Sequence, residues 1–222
     1  MENKISFHPE IEALYNEIYY TMLNESGRGA ILIATSFTDD FLTKLIECIL
    51  PGEISKTNKE KLFKYPGTIS SYSSKIELAY AFRIIDKEIY DSLNILRRIR
   101  NDAAHSSEEF NLNNISEKMK AIYNMGVNYN EILKNTAKEM MIKNKTTILR
   151  LRLAEKLTPQ EIETAIDNTL KDNLYLNKLE TDELPSWELL LWLCLICNLL
   201  VIKREAMTKV VSKIDTWDNL PH

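Results

Sequence analysis

One segment near the end of the chain, Trp187–Met207, reads WELLLWLCLICNLLVIKREAM. Every residue of Leu189–Ile202 except Asn198 is apolar, so a helix formed here has no polar face to turn toward water. A membrane-spanning helix needs about 20 apolar residues, and this run is shorter and is closed by the charged residues Lys203–Glu205. We therefore expect a core helix or an oligomer interface, and no membrane segment.

The composition of the whole chain favours helices. It has only 5 glycines and 6 prolines among 222 residues, and 45% of its residues are hydrophobic, which suffices for a genuine core. We predict an all-α fold, a mostly antiparallel helical bundle forming one domain over residues 1–222. Within it, residues 1–117 would form the motif-bearing helical core, 118–184 a variable helical insertion, and 185–214 the closing apolar helix.

Apolar spacing and capping signals predict individual helices in the first half of the chain. We expect helices over Pro9–Asn24 and Ala30–Leu50, followed by a lysine-rich loop over Glu53–Ser71 that folds over a neighbouring surface. Ser74 and Glu77 have the spacing of a capping box, which predicts that the next helix starts there. The acidic pair Asp39–Asp40 is expected to be a solvated edge in preference to a metal site.

The second half of the sequence contains clearer signals for where helices start and end. Asp86 can cap the helix that follows it, and the later helical stretch is expected to break near Gly126. Thr158 and Glu161 form a capping box with Pro159 in the first turn. The stretch Lys171–Leu184 has little periodicity and is expected to be a connection.

The charge and the cysteines bound the class of protein. A net charge of −4 argues against coating nucleic acid through bulk positive charge, although a local basic cleft stays open. Cys48, Cys194 and Cys197 are an odd number, which is typical of reduced thiols, and we expect the CLIC spacing to reflect packing. The first residues show no secretory signal. A cytoplasmic protein is expected.

The segment LRRIRNDAAHS, Leu96–Ser106, ends an amphipathic helix. At about 100° per residue, Arg100 falls within the apolar stripe formed by Ile89, Leu93 and Leu96. A guanidinium directed at apolar neighbours is costly to bury unpaired. We expect it to reach a carboxylate, a backbone carbonyl or a cleft that holds an anion.

Arg100, Asn101 and His105 are candidates for metal-independent RNA cleavage. The imidazole of a histidine titrates near neutral pH, so it can take the proton of a 2′-hydroxyl or give one to the leaving 5′-oxygen. An arginine would stabilise charge on the phosphorus oxygens, and the asparagine would orient its neighbours. The product would be a 2′,3′-cyclic phosphate. This chemistry requires no metal or cofactor.

Two further interpretations stay open. In one unbroken helix Arg100 and His105 diverge, so either the helix ends near Ala103 and the chain turns back, or the residues meet their counterparts across a two-fold axis. Alternatively, the segment is only a polar helix end with Arg100 paired to an acid, namely Asp86, Glu88 or Asp102.

Three segments, in this order, resemble the mannitol operon repressor family: ILIATSFTDDFLTKLIECIL from Ile31, YPGTISSYSSKIELAYAFRIID from Tyr65 and ILRRIRNDAAHS from Ile95. The resemblance spans residues 27–115 and the closing apolar helix. Tyr72 stands where that family usually has phenylalanine, and AFRII replaces ALGLI. Residues 118–184 have no clear counterpart.

The RNDAAH segment is also similar to the R-x4-6-H signature of the HEPN superfamily. This resemblance implies a helical homodimer whose catalytic set is Arg100, Asn101 and His105, as in metal-independent endoribonucleases of toxin and phage-defence systems. A regulator or antitoxin protein would be a partner, and RNA the substrate.

We expect further RNA contacts from basic residues near the motif and in the lysine-rich loop: Arg97, Arg98, Lys61 and Lys64. The mannitol operon repressor resemblance instead implies a non-enzymatic transcriptional regulator that acts through protein partners. Neither a helix-turn-helix nor another DNA-reading motif is recognisable in the sequence.

Overall fold

A computed structural model describes residues 7–105, 110–126 and 129–214 of the chain. Over these residues the protein is all-helical and contains no strand, so the predicted all-α class is confirmed. The α-helices are α1 (Pro9–Asn24), α2 (Gly27–Glu47), α3 (Lys56–Phe63), α4 (Tyr72–Ala81), α5 (Lys87–His105), α6 (Ser116–Tyr123), α7 (Tyr129–Leu153), α8 (Pro159–Lys171), α9 (Asn173–Asp182) and α10 (Leu184–Ile214), with a 3₁₀ turn at Leu112–Ile115.

Helix α10 lies at the centre of the structure. It packs against α1, α2, α7 and α9, and its apolar segment is almost wholly buried between them. Among the described residues it is the one helix long and apolar enough to cross a membrane, yet most of that stretch is covered by protein. Burial inside the protein explains why α10 has no polar face over this segment, as expected for a core helix. The structure is compatible with a soluble protein.

Helices whose sequence signals are local form where they were predicted. Helix α1 has the predicted bounds and buries Ile11, Leu14, Ile18 and Met22. Helix α8 begins after Thr158, which forms the predicted capping box. The chain also breaks as expected between α6 and α7.

Three local predictions were wrong. The lysine-rich stretch contains helix α3, because Ser55 caps its first turn and lysine and glutamate favour helix. Helix α4 starts at Tyr72, because Ser71 is the cap and Ser74 is the third helical residue that completes the box. The expected connection after Lys171 contains helix α9, capped by Asp172.

A network of charges joins three helices at one end of the bundle. The Glu10 carboxylate on α1 accepts hydrogen bonds from Arg204 on α10 and from Lys44 on α2, the latter at 3.2 Å. The hydrogen bond from Arg204 lowers the pKa of Glu10 below its ordinary value, although partial burial opposes this shift. The Glu10–Arg204 pair therefore stabilises the contact between α1 and α10.

The core role of α10 can be tested with Leu193→Ala. Leu193 is fully buried, so truncation leaves a cavity and should lower the free energy of unfolding by about 2–5 kcal/mol. Ile202→Ala on the same helix is the control, since Ile202 is 51% exposed and its loss should change stability by about 0.5 kcal/mol or less. Urea denaturation measures both. Equal losses would contradict the central placement of α10.

The Glu10 network should make stability depend on acid pH. Because the pKa of Glu10 is lower in the folded state, its contribution is present above the unfolded value of about 4.5 and is lost as pH falls through the folded pKa. Glu10→Gln should therefore lower unfolding free energy at pH 7 and reduce the loss between pH 5 and 3. Glu12→Gln is the control, because Glu12 lies in the same first turn but is exposed. Identical pH profiles for wild type and Glu10→Gln would refute this.

Candidate functional site

Helix α5 carries the three candidate catalytic residues. Asp86 accepts a hydrogen bond from the backbone N–H of Ile89 at 3.3 Å, as its predicted capping role requires. The helix then continues without a break to His105, so the alternative in which it ends near Ala103 is wrong. Its buried face includes the predicted apolar stripe.

Arg100 is exposed, so the expectation that it points at apolar neighbours is wrong. It lies at the angular position of the stripe, but the core ends beneath it and a surface groove opens between α2, α4 and α5. The groove has a volume of about 470 Å³. Its lining residues are Leu32, Thr35, Ser36, Asp39, Ser71, Tyr72, Ser73, Arg97, Arg100 and Asn101. Of the three expected destinations for the guanidinium, the structure selects the cleft.

Among the described residues, the Arg100 guanidinium is held by a neutral side chain. Its Nη1 donates to Oδ1 of Asn101 at 3.3 Å, and among the described residues no carboxylate lies within ion-pair distance of it. Two of the three acids expected to neutralise it have other partners: Asp86 binds Lys203 at 2.8 Å and Asp102 binds Lys118 at 2.7 Å. Arg100 therefore keeps most of its hydrogen-bond donors for an external group.

Arg97 is the second arginine in the groove. Its Nε donates to Oδ1 of the buried Asn94 at 3.3 Å, which holds the guanidinium while leaving its two terminal nitrogens free of carboxylates within the described residues. Arg98, one position further along α5, is exposed and does not line the groove. Two of the three predicted arginines thus share one surface.

Asp39 is the one carboxylate that lines the groove, and its charge is neutralised by a buried lysine. Nζ of Lys75 on α4 lies 2.8 Å from Oδ1 of Asp39. The side chain of Lys75 is only 7% exposed, whereas that of Asp39 is 30% exposed. Asp39 is therefore not the solvated edge that was expected, because α4 packs over it, while Asp40 is exposed. Sequence reasoning missed Lys75 as part of the site.

A hydrogen bond fixes α4 against α2 beside this pair. Oη of Tyr72 and Oγ1 of Thr38 lie 2.9 Å apart. Burial raises the pKa of the Tyr72 hydroxyl, so the group is neutral at ordinary pH and contributes no charge to the groove. Tyr72 thereby adds a polar link between the two helices.

His105 is exposed but does not line the groove. It lies five residues beyond Arg100, which is about 7.5 Å along the axis and about 140° around it. A single chain thus brings Asn101 to Arg100 but does not bring His105 to them. Meeting across a two-fold axis stays a prediction, and Ser106, the last residue of the quoted motif, lies outside the described residues.

The predicted contacts from the lysine-rich segment lie elsewhere. Lys61 is in α3 and Lys64 caps its end, and both are exposed. Neither lines the groove, and Lys64 pairs with Glu60 at 3.2 Å. In this structure α3 does not cover the groove.

The cysteines are packing residues within the described part of the chain. All three are free thiols, and Cys194 and Cys197 are buried. Burial raises the pKa of Cys194 to about 12, which disfavours the reactive thiolate. No group of three or more His, Cys, Asp or Glu side chains in the described ranges is arranged to hold a metal ion.

A second groove, of about 630 Å³, lies at the N-terminal end of α2. Its charged lining residues have mixed signs: Glu25, Arg28, Lys145, Asp182 and Glu183. Lys145 is paired with Glu183 at 2.6 Å. With three acids and two bases this surface has only a small net negative charge, whereas the groove at Arg100 has a clear positive excess, so the latter is the candidate functional site.

Comparison with known proteins identifies no relative from which a function for this groove could be inferred. No family model, curated protein or solved structure matches the chain. The resemblance to the mannitol operon repressor family rests on the three quoted segments and the closing helix, and that to the HEPN superfamily rests on the RNDAAH segment alone. The strongest structural feature of the site is a pair of arginines, the half-buried Arg97 and the exposed Arg100, in the same groove as a carboxylate that is already paired with a lysine.

Proposed function

We propose that this protein is a HEPN-like, metal-independent endoribonuclease. The observation that carries the proposal is the Arg100 guanidinium, which opens into a groove and lacks an acidic partner among the described residues. An arginine kept in this state is suited to binding a phosphate that is supplied from outside. The motif resemblance supplies the reaction class.

The proposed reaction is attack of a ribose 2′-hydroxyl on the adjacent phosphate. A base removes the 2′-hydroxyl proton, the new P–O bond forms, the bond to the 5′-oxygen breaks, and an acid protonates that oxygen. His105 is the group for proton transfer, and Arg100 stabilises the extra negative charge on the phosphate. Asn101 positions Arg100 through their 3.3 Å hydrogen bond.

A homodimer is part of the proposal. Because His105 and Arg100 diverge on one helix, a two-fold axis near the ends of two α5 helices would bring His105 of one chain toward Arg100 of the other. Each of the two sites then contains Arg100 of one chain and His105 of the other, and this one imidazole takes the 2′-hydroxyl proton and gives a proton to the leaving 5′-oxygen.

The surroundings of the motif are consistent with an RNA substrate. Arg97 shares the groove, Arg98 extends from the same helix, and Lys61 and Lys64 would steer the backbone from α3 by long-range attraction. The proposed setting is a cytoplasmic toxin or phage-defence system, in which a regulator or antitoxin protein restrains the enzyme.

A non-enzymatic regulator of the mannitol operon repressor kind is the alternative. One observation favours it: His105 is remote from the groove in a single chain, so Arg100 and Asn101 there could bind an anionic partner without turnover. Under this alternative the protein would bind a protein partner and leave RNA intact.

The ribonuclease proposal predicts cleavage of single-stranded RNA in the presence of EDTA. Arg100→Ala and His105→Ala should each lower the rate by about 100-fold or more, since each removes a charge-stabilising or proton-transferring group. Arg152→Ala, an exposed arginine on α7, is the control and should cleave like wild type. Gel analysis and mass spectrometry of the 2′,3′-cyclic phosphate measure the outcome. If Arg100→Ala and His105→Ala cleave normally, the catalytic assignment fails.

Mixing the two inactive variants tests whether the site spans two chains. A heterodimer of Arg100→Ala and His105→Ala chains contains one site with both wild-type residues if each site takes its arginine and histidine from different chains. Co-refolded variants should then regain about a quarter of wild-type activity, because about half of the dimers are heterodimers and each heterodimer has one intact site out of two. Each variant refolded alone is the control. If activity does not return in verified heterodimers, the shared site is excluded.

A further inference from the structure

The groove at Arg100 has a local charge opposite to that of the whole chain. The protein carries a net charge of −4, yet the groove is lined by two arginines and one carboxylate, and that carboxylate is paired with a lysine. Arg97, Arg100 and the Lys75–Asp39 pair together leave a local charge of about +2. An anionic ligand would be attracted to this groove.

We infer that this groove binds the phosphate and base of one unpaired nucleotide, and that Lys75 keeps the site open by holding Asp39. The inference rests on the proposed function for its choice of RNA as the ligand, and it adds which part of the strand is bound. Lys75 is a positioning residue, because its ammonium group is buried and acts through Asp39.

The Lys75–Asp39 pair matters because of where Asp39 lies. A carboxylate in the same groove as two guanidiniums would form charge-assisted hydrogen bonds with them and compete with a phosphate. The 2.8 Å contact with Lys75 satisfies Asp39 from the interior side of the groove. Breaking a buried pair by removing one partner leaves an uncompensated charge. Without Lys75, Asp39 would therefore turn to the cations that line the same groove, Arg97 and Arg100.

The shape and lining of the groove favour an unpaired nucleotide. Its volume of about 470 Å³ is within the usual 300–1,000 Å³ of small-ligand sites. Leu32 is 41% exposed at the edge, and a guanidinium plane such as that of Arg97 can stack on a base. Ser36 and Ser73 provide hydroxyls for the sugar or phosphate. In a duplex the bases are stacked inside, so only a single strand can present phosphate and base together.

The binding test uses a probe that cannot be cleaved. We would titrate a single-stranded 2′-O-methyl RNA hexamer into the full chain by fluorescence anisotropy, alongside the same sequence as a duplex and adenosine 5′-monophosphate. The single strand should bind most tightly. Arg97→Ala and Arg100→Ala should each weaken it by about tenfold or more, as expected for charge-assisted hydrogen bonds. Arg152→Ala is the control. Equal or tighter binding of the duplex would overturn the assignment.

The role of Lys75 is tested by a single and a double variant. Lys75→Met should weaken hexamer binding about as much as Arg100→Ala, whereas the Asp39→Asn/Lys75→Met double variant should restore affinity to within about twofold, because no carboxylate is left to capture an arginine. A purely structural role for Lys75 would not give this rescue. Lys75→Met that binds like wild type, or a double variant as weak as the single one, would refute the inference.

Two controls distinguish a loss of binding from a loss of folding and from a loss of cleavage. Circular dichroism and thermal unfolding verify each variant, and Lys75→Gln replaces Lys75→Met if the latter does not unfold cooperatively. The blocked hexamer reports binding without cleavage. If the protein binds the hexamer as predicted but does not cleave RNA, the ribonuclease proposal fails and the nucleotide site stands. If it cleaves RNA but hexamer binding does not depend on Arg97 and Arg100, the nucleotide site fails and the ribonuclease proposal stands.

Discussion

The burial of α10 is the constraint on which the rest of the structure depends. The apolar segment Leu189–Ile202 of α10 has to be largely covered by protein, and α1, α2, α7 and α9 provide most of that cover. Helix α2 is held in place by α10 on one side and contacts α4 and α5 on the other. The position of the groove is therefore set by the same packing that buries α10.

The groove forms where this packing ends. Along α5 the apolar stripe is covered by the core, but at Arg100 the same angular position opens to solvent between α2 and α4. The energy of desolvating a guanidinium is thereby avoided, and its donors stay accessible. One charge, that of Asp39, would undo this arrangement if it were free, and the buried ammonium of Lys75 holds it.

The distribution of the three candidate residues connects the fold to the proposed chemistry. Arg100 and Asn101 contact each other at the groove, whereas His105 lies beyond it at the end of α5. A helix fixes this divergence, so proximity of all three requires a second chain. The proposed activity is thus linked to association, which gives a regulatory partner a simple means of control: it can block the surface at the end of α5.

The sequence by itself determined the helical class, the bounds of α1 and the capping box of α8, because periodicity and capping involve residues within a few positions of one another. For α10 it left a core helix and an oligomer interface open, and the structure places most of the apolar segment in the core. Tertiary structure alone decided that Arg100 faces a groove and that Lys75 neutralises Asp39. Lys75 and Asp39 are 36 positions apart, and no local pattern encodes which side of α2 the later helix α4 covers. The exposure of a side chain likewise depends on where neighbouring helices end, which helical spacing does not specify.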